Sequence, residues 1–364
     1  MSGAGRPRAV ALFPLSKMAE TAAAGGPMSD ELIRHVVTVA TVAPSVYNTQ
    51  PWRFRTDGYV IDLFADRGRQ LDYMDAPGRL LALSCGAALH HLRLAIRGLG
   101  RDVEVQFLPD PGDPEHLARV TSGPAEAHAP TPEEWALLQA VWERRSYRDT
   151  FDARRLPRGL VVDLDEVVAA EGCGLRAVER PGEREDVARL VAAADRQFAA
   201  DEQAQEELRS WSRWEDALTS GEQLQDGIPR SAVARGSMAS QGVFRQRDFD
   251  VDASVAGAGE PAAVAGPGPE NPDVAALFTP GDEIADWLAA GAALSALLLT
   301  ATCAGAAASL LNQPLDRTVS RARMNEALHV PGFVQVLLRL GYPGPDARQF
   351  LTPRRPVDDI LSWG

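Results

Sequence analysis

Three short segments gather side chains suited to a planar ligand that carries a phosphate. The first is Pro44-Ser45-Val46-Tyr47-Asn48-Thr49-Gln50-Pro51-Trp52, a loop stiffened by two prolines. It puts amides, hydroxyls and backbone N–H groups in one place, which suits the polar edge of a heterocycle. The same residues also serve an ordinary turn, with Asn and Ser satisfying local backbone. The second is Arg144-Arg145-Ser146-Tyr147-Arg148. Guanidinium forks around a hydroxyl suit a phosphate monoester dianion, while cations at a helix C-terminus equally answer its dipole. The third is Thr352-Pro353-Arg354-Arg355-Pro356, in which two prolines constrain a pair of arginines near the carboxyl end. An ordinary basic surface end would look the same.

The elements that must position these segments follow from period and punctuation. Ser29-Asp30-Glu31 is a helix-start signature, and apolar residues at Leu32, Ile33, Val36, Val37 and Val39 predict a helix that Pro44 ends. Trp52–Arg55 and Val60–Phe64 alternate around Asp57-Gly58 and predict a hairpin. Leu80–Leu99 and Glu283–Thr302 predict two long helices, and Val103–Leu108 and Phe333–Leu340 two strands. A helix over Glu133–Arg145 carries the stripe Trp135, Leu138, Val141, Trp142; further helices are expected at 184–200 and 203–218. The passage 121–132 reads as a connection and 251–272 as a mobile loop.

The two long helices echo each other. Gly86-Ala87-Ala88-Leu89 with Leu92 and Leu94 matches Gly291-Ala292-Ala293-Leu294 with Leu297 and Leu299. Small residues at equal places let two such helices approach closely, and the match predicts a tandem duplication.

Composition sets the outer bounds. The chain has 364 residues, a net charge of −13 and 45% hydrophobic residues, so it can bury a sizeable core. Its acidity argues against nucleic acid or an anionic membrane as partner. Three scattered cysteines, Cys85, Cys173 and Cys303, lack metal-type spacing and suit a reducing cytoplasm. The apolar run Leu294–Leu299 reads as a buried helix rather than a membrane span. Residues 1–28 read as a disordered extension, the fold starting at Ser29. His90-His91 reads as a pair of satisfied or solvent-facing side chains, and Cys85 as a small buried residue. Gly257-Ala258-Gly259 imitates a dinucleotide fingerprint without the strand and helix it needs. Leu208, Trp211, Trp214 and Leu218 form an apolar stripe that suits core packing.

Taken together, the Pro-Ser-x-x-Asn-x-Gln-Pro-Trp loop, the Arg-Arg-Ser-x-Arg run and the Arg-x-Pro tail resemble the FMN-dependent nitroreductase family. Cys85-Gly86-Ala87-Ala88 and Arg247-Asp248-Phe249 extend the resemblance, which runs from Ser29 to the end. In ordinary homodimers of that family the arginine motif opens the chain. Here it follows the loop by almost a hundred residues, an order that resembles the Acg-like branch, where two halves are fused in one chain. The resemblance implies a nitroreductase-like α+β fold forming an intramolecular pseudo-dimer, with halves at 29–130 and 131–364 and a lid or loop insertion at about 203–280, in which the stripe Leu208, Trp211, Trp214 and Leu218 would cover the flavin. It implies that Pro44, Ser45 and Asn48, in the loop that also holds Gln50, contact the flavin ring. It places Arg144, Ser146 and Arg148, with Arg145 beside them, on the FMN phosphate, joined by Arg354 and its neighbour Arg355. Backbone N–H groups of the Leu311-Asn312-Gln313 turn would face the ring's N5, although the family's usual glycine is absent there. One flavin per chain is expected, because no second arginine motif exists.

The function so implied is that of an FMN-binding oxidoreductase in which flavin N5 carries the hydride, with no catalytic side chain and no metal. NAD(P)H-dependent reduction of nitroaromatic or quinone-like compounds, flavin-dependent oxidation of a biosynthetic intermediate, and non-catalytic FMN storage under a lid are the three forms it could take. The expected partners are FMN, NAD(P)H as electron donor and an unidentified small molecule, the protein being a monomeric pseudo-dimer in the cytoplasm.

Overall fold

The computed structural model describes residues 26–148, 150–213, 225–229, 244, 271–344 and 352–364. Residues 1–25, Trp214, Leu218, Arg247-Asp248-Phe249, Gly257–Gly259 and all but the last two residues of the 251–272 loop lie outside the described residues. Met28, placed by the sequence in the extension, is buried, and its N–H donates to Gly58 O at 3.1 Å. Order therefore begins before Ser29.

The first described helix is Asp30–Thr41, and Ser29 caps it by accepting from Leu32 N at 3.4 Å. Strands β1 (Trp52–Thr56) and β2 (Val60–Ala65) form the expected hairpin. β3 (Val103–Phe107) and β4 (His116–Ser122) extend it. The carboxyl terminus closes this sheet. β11 (Leu361–Trp363) pairs parallel with β1, giving the order β11-β1-β2-β4-β3.

The second sheet has the order β5-β8-β10-β9, built from Gly174–Ala177, Asp273–Thr279, Phe333–Gly341 and Ala307–Leu310. β10 is the predicted buried strand. β8 corrects the sequence reading: Asp273–Thr279, assigned to the insertion, is an interior strand of this sheet. It reads as near-continuous apolar sequence because both its faces are covered. The helix expected at 203–218 is shorter, Glu202–Ser210, after which Ser212–Arg213 pairs with Ile228–Pro229.

Between the sheets lie the two long helices, Arg79–Gly98 and Ile284–Cys303. A Cβ on Gly86 would overlap the carbonyl of Leu288, and a Cβ on Gly291 would overlap that of Leu83. Gly86 and Gly291 match in the repeat, and so do Leu83 and Leu288, so each copy uses the same residues on the other. Further along, His90 Nδ1 meets Ser295 Oγ, its own counterpart, at 3.0 Å. Contact thus advances toward the C-terminus on both helices together. The Ile284–Cys303 helix is the one described helix long and apolar enough to cross a membrane, and 67% of that stretch is buried inside the protein.

The boundary at 130 does not divide the core. Leu138, Ala140 and Val141 of the Pro132–Glu143 helix, with Ile360 and Leu361, pack into the first half's cluster. In return Leu80 and Leu83 of the first long helix pack into the second half's cluster.

Candidate functional site

The first proline-bounded loop leaves its helix and turns through Val46–Asn48 with a left-handed backbone at Tyr47 (φ 46°), Asn48 (56°) and Gln50 (50°). Three such residues in four positions are costly for side chains other than glycine, and they persist where surroundings over-determine them. The surroundings are present: Ser45 Oγ accepts from Gln50 N at 3.0 Å, and Ser84 Oγ, in the first long helix, accepts from Val46 N at 3.2 Å.

The arginine run is positioned by two elements. Arg144 caps the Pro132–Glu143 helix through its N–H to Ala140 O at 2.8 Å, then turns into an extended backbone. Ser146 bridges to Ala308, and Tyr147 N donates to Ala308 O at 2.9 Å, which seats the run beside β9. The tail is positioned from beyond, since Ile360 and β11 are bound into the first sheet and draw Thr352–Pro356 across the loop.

These three segments meet in one cavity. Its wall includes Pro44, Ser45, Asn48, Arg144, Arg145, Ser146, Arg148, Gln313 and Arg354, all expected from sequence. Among the described residues no carboxylate pairs with Arg144 or Arg354. Burial, and after it the Arg354, Arg145 and Arg148 charges, push Arg144 down to about 9. Burial and the Arg145 charge push Arg354 to about 10, and burial takes Arg148 to about 10. The Nε atoms of Arg144 and Arg354 are buried and find no hydrogen-bond acceptor among the described residues. Two such donors beside clustered, desolvated cations are costly without an anion and fit a phosphate dianion.

Three expected residues lie elsewhere. Leu311 is wholly buried in the core of the second sheet, and its N–H donates to Leu337 O at 2.7 Å, so it offers nothing to a ring. Gln50 accepts from Arg355 N at 2.9 Å and donates to Gln225 O at 2.8 Å. Arg355 donates to Gln50 O and pairs with Asp66, each at 3.2 Å, so these two residues clamp loop to tail outside the cavity wall.

Asn312 and Thr352, from the expected turn and tail, also line the cavity, while Ser84, Ser309 and Asp316, the one carboxylate among the described lining residues, were not singled out from sequence. Ser84 had a faint signal, a hydroxyl within an apolar helix. The histidine pair is buried, His90 on Ser295 and His91 Nδ1 at 3.3 Å from Val39 O. Cys85 is buried as expected and donates to Pro51 O at 3.2 Å, with burial raising its thiol pKa.

The chain is 32% identical over 345 residues to "Putative NAD(P)H nitroreductase Rv3131" of Mycobacterium tuberculosis (strain ATCC 25618 / H37Rv), covering 92% of each chain. It is 31% identical over 342 residues to "Putative NAD(P)H nitroreductase acg" of the same strain, covering 92% of this chain and 96% of that one. The chain therefore belongs to the nitroreductase family, in its Acg-like branch. No family model matches it. Among solved structures it is similar to a nitroreductase with bound FMN from Bacteroides fragilis NCTC 9343, at 17% identity and a TM-score of 0.36. That match covers 60% of this chain and 94% of the other. It is also similar to the FMN and NADPH-dependent nitroreductase NfnB from sphigopyxis sp. strain HMH, at 16% identity and a TM-score of 0.39, covering 63% and 98%.

Proposed function

We propose that the chain is an FMN-dependent oxidoreductase whose two fused halves build one flavin site. The observation that carries this is the arginine cluster, Arg144 buried and Arg148 and Arg354 half-buried, in which two buried Nε–H groups lack acceptors among the described residues. Arg144, Arg148 and Arg354, with Arg145 at the rim, would hold the phosphate, and the apolar wall from Leu83, Ala87, Leu294 and Val336 would hold the ring and exclude water. When bound, the flavin supplies two-electron hydride chemistry, so no side chain is asked to act as nucleophile or general base. The relatives' names support NAD(P)H as donor and a nitro compound as acceptor.

A second reading, FMN storage, is favoured by a different observation. Gln225, Gly227 and Asp226 are tied to Gln50, Asn48 and Arg69, and Ile228 lines the cavity, which supports reading this segment as part of a lid.

The test begins with the absorbance spectrum of purified protein and identification of the released cofactor, which is expected to be FMN. Anaerobic NADH or NADPH should then bleach the flavin. Bleaching by dithionite but by neither nicotinamide would overturn nicotinamide-driven reduction and leave substrate oxidation or storage. A protein that binds no flavin would overturn both.

A further inference from the structure

Asn48 stands where the resemblance puts a contact to the flavin ring, yet its amide is engaged by protein. Its Oδ1 accepts from Arg354 Nη1 at 3.0 Å. Its Nδ2 donates to Gly227 O and to Pro353 O, both at 3.1 Å, which uses both amide hydrogens. Gly227 N returns a bond to Asn48 O at 3.3 Å. Other groups hold Arg354 as well: the same Nη1 donates to Thr352 Oγ1 at 2.6 Å and to Pro353 O at 2.9 Å, and Nη2 donates to Val42 O at 3.2 Å. Gripped at both Nη atoms, the guanidinium keeps its buried Nε–H for another group. Gln50 repeats the pattern one turn on, joining Gln225 to Arg355.

We infer that Asn48 is a positioning residue that acts through Arg354 on the ligand's phosphate, and that its amide joins this arginine to the covering segment at Gly227. The inference rests on the FMN reading above. A ring contact matters to every flavin. A residue that aims a phosphate-binding arginine matters only to a flavin with a phosphate, and a long arginine side chain released from its acceptor regains rotamers that phosphate binding must freeze again.

The experiment compares FMN with riboflavin, the same ring without the phosphate, by fluorescence titration of flavin-free protein. Asn48→Gly suits the test because glycine adopts the left-handed backbone of this position without strain. FMN affinity should fall about tenfold, as expected for one lost hydrogen bond to a charged group, while riboflavin affinity changes less than about threefold. Thr352→Val removes the other side-chain acceptor on Arg354 without touching the 44–51 loop and should reproduce the pattern, which keeps the test alive if Asn48→Gly does not fold. An equal fall for both ligands, or no fall for FMN, overturns the inference and returns Asn48 to the ring or to neither. If the unaltered protein binds neither flavin, the FMN reading itself has failed, a result separate from the first two.

Discussion

Gly86 lies against the backbone carbonyl of Leu288 with no room for a methyl group between them, and the counterpart Gly291 lies equally close to Leu83. This reciprocal contact is where the two halves meet, and the cavity opens beside it: Leu83, Ser84 and Ala87 come from one helix and Leu294 from the other. Substituting Gly86→Ala forces backbone apart in a filled core. We expect a loss of at least about 2–3 kcal/mol, measured by denaturant unfolding, with Gly291→Ala costing a similar amount by the same geometry.

Arg144 makes the apoprotein less stable than it could be. Replacing it with Met removes a buried cation surrounded by like charges, so the flavin-free protein should gain about 1–3 kcal/mol. The same variant should bind FMN about 10- to 150-fold more weakly, through loss of a charge-assisted contact. Thermal unfolding without ligand and a flavin titration check the two halves of the prediction. Loss of both properties together would mean Arg144 is structural.

Acid should destabilise the fold through histidines before carboxylates. Burial lowers His90 to about 4, and burial with the His90, Arg144 and Arg354 charges holds His91 well below the usual imidazole range. The unfolded chain therefore takes up protons below pH 6.5 that the native one refuses, and the His90 contribution, on the order of 3 kcal/mol, is lost between pH 6.5 and about 4. Asp75 opposes this, since burial raises it to about 6 and protonation below that favours the native state. Two histidines outweigh one carboxyl group. His90→Gln should flatten the fall in unfolding midpoint from pH 6.5 to 5.

The tail should couple the first sheet to ligand binding. Phe54 N donates to Ile360 O at 2.6 Å and β11 pairs with β1, which anchors the stretch carrying Arg354. A chain ending at Pro356 should remain folded with lower stability and bind FMN at least about tenfold more weakly, since Arg354 loses its preset position. Unchanged affinity would show that the local contacts at Asn48, Thr352, Pro353 and Val42 hold the arginine without the strand.

Much of this molecule was legible in one dimension. Helix caps, the hairpin at Asp57-Gly58, the two long helices and β10 follow from local period and turn chemistry, and the matched glycines announced a close helix pair. The arginines of the site were also legible, because runs of guanidinium groups between constraining residues are a local pattern. Tertiary structure decided the rest. Short strands such as β5, β9 and β11 carry too little periodic sequence to declare themselves, and they exist because a neighbouring strand accepts their hydrogen bonds. Leu311, Gln50 and Arg355 are of types that suit a binding site. What they bind depends on which backbone groups lie opposite, and those groups come from residues far away in sequence: Leu337 for the first, and for the other two each other, across 305 residues. Asn48 shows the same limit from inside the cavity. Its amide could serve a ring or an arginine with equal chemistry, and only the arrival of the tail beside the loop assigns it to Arg354.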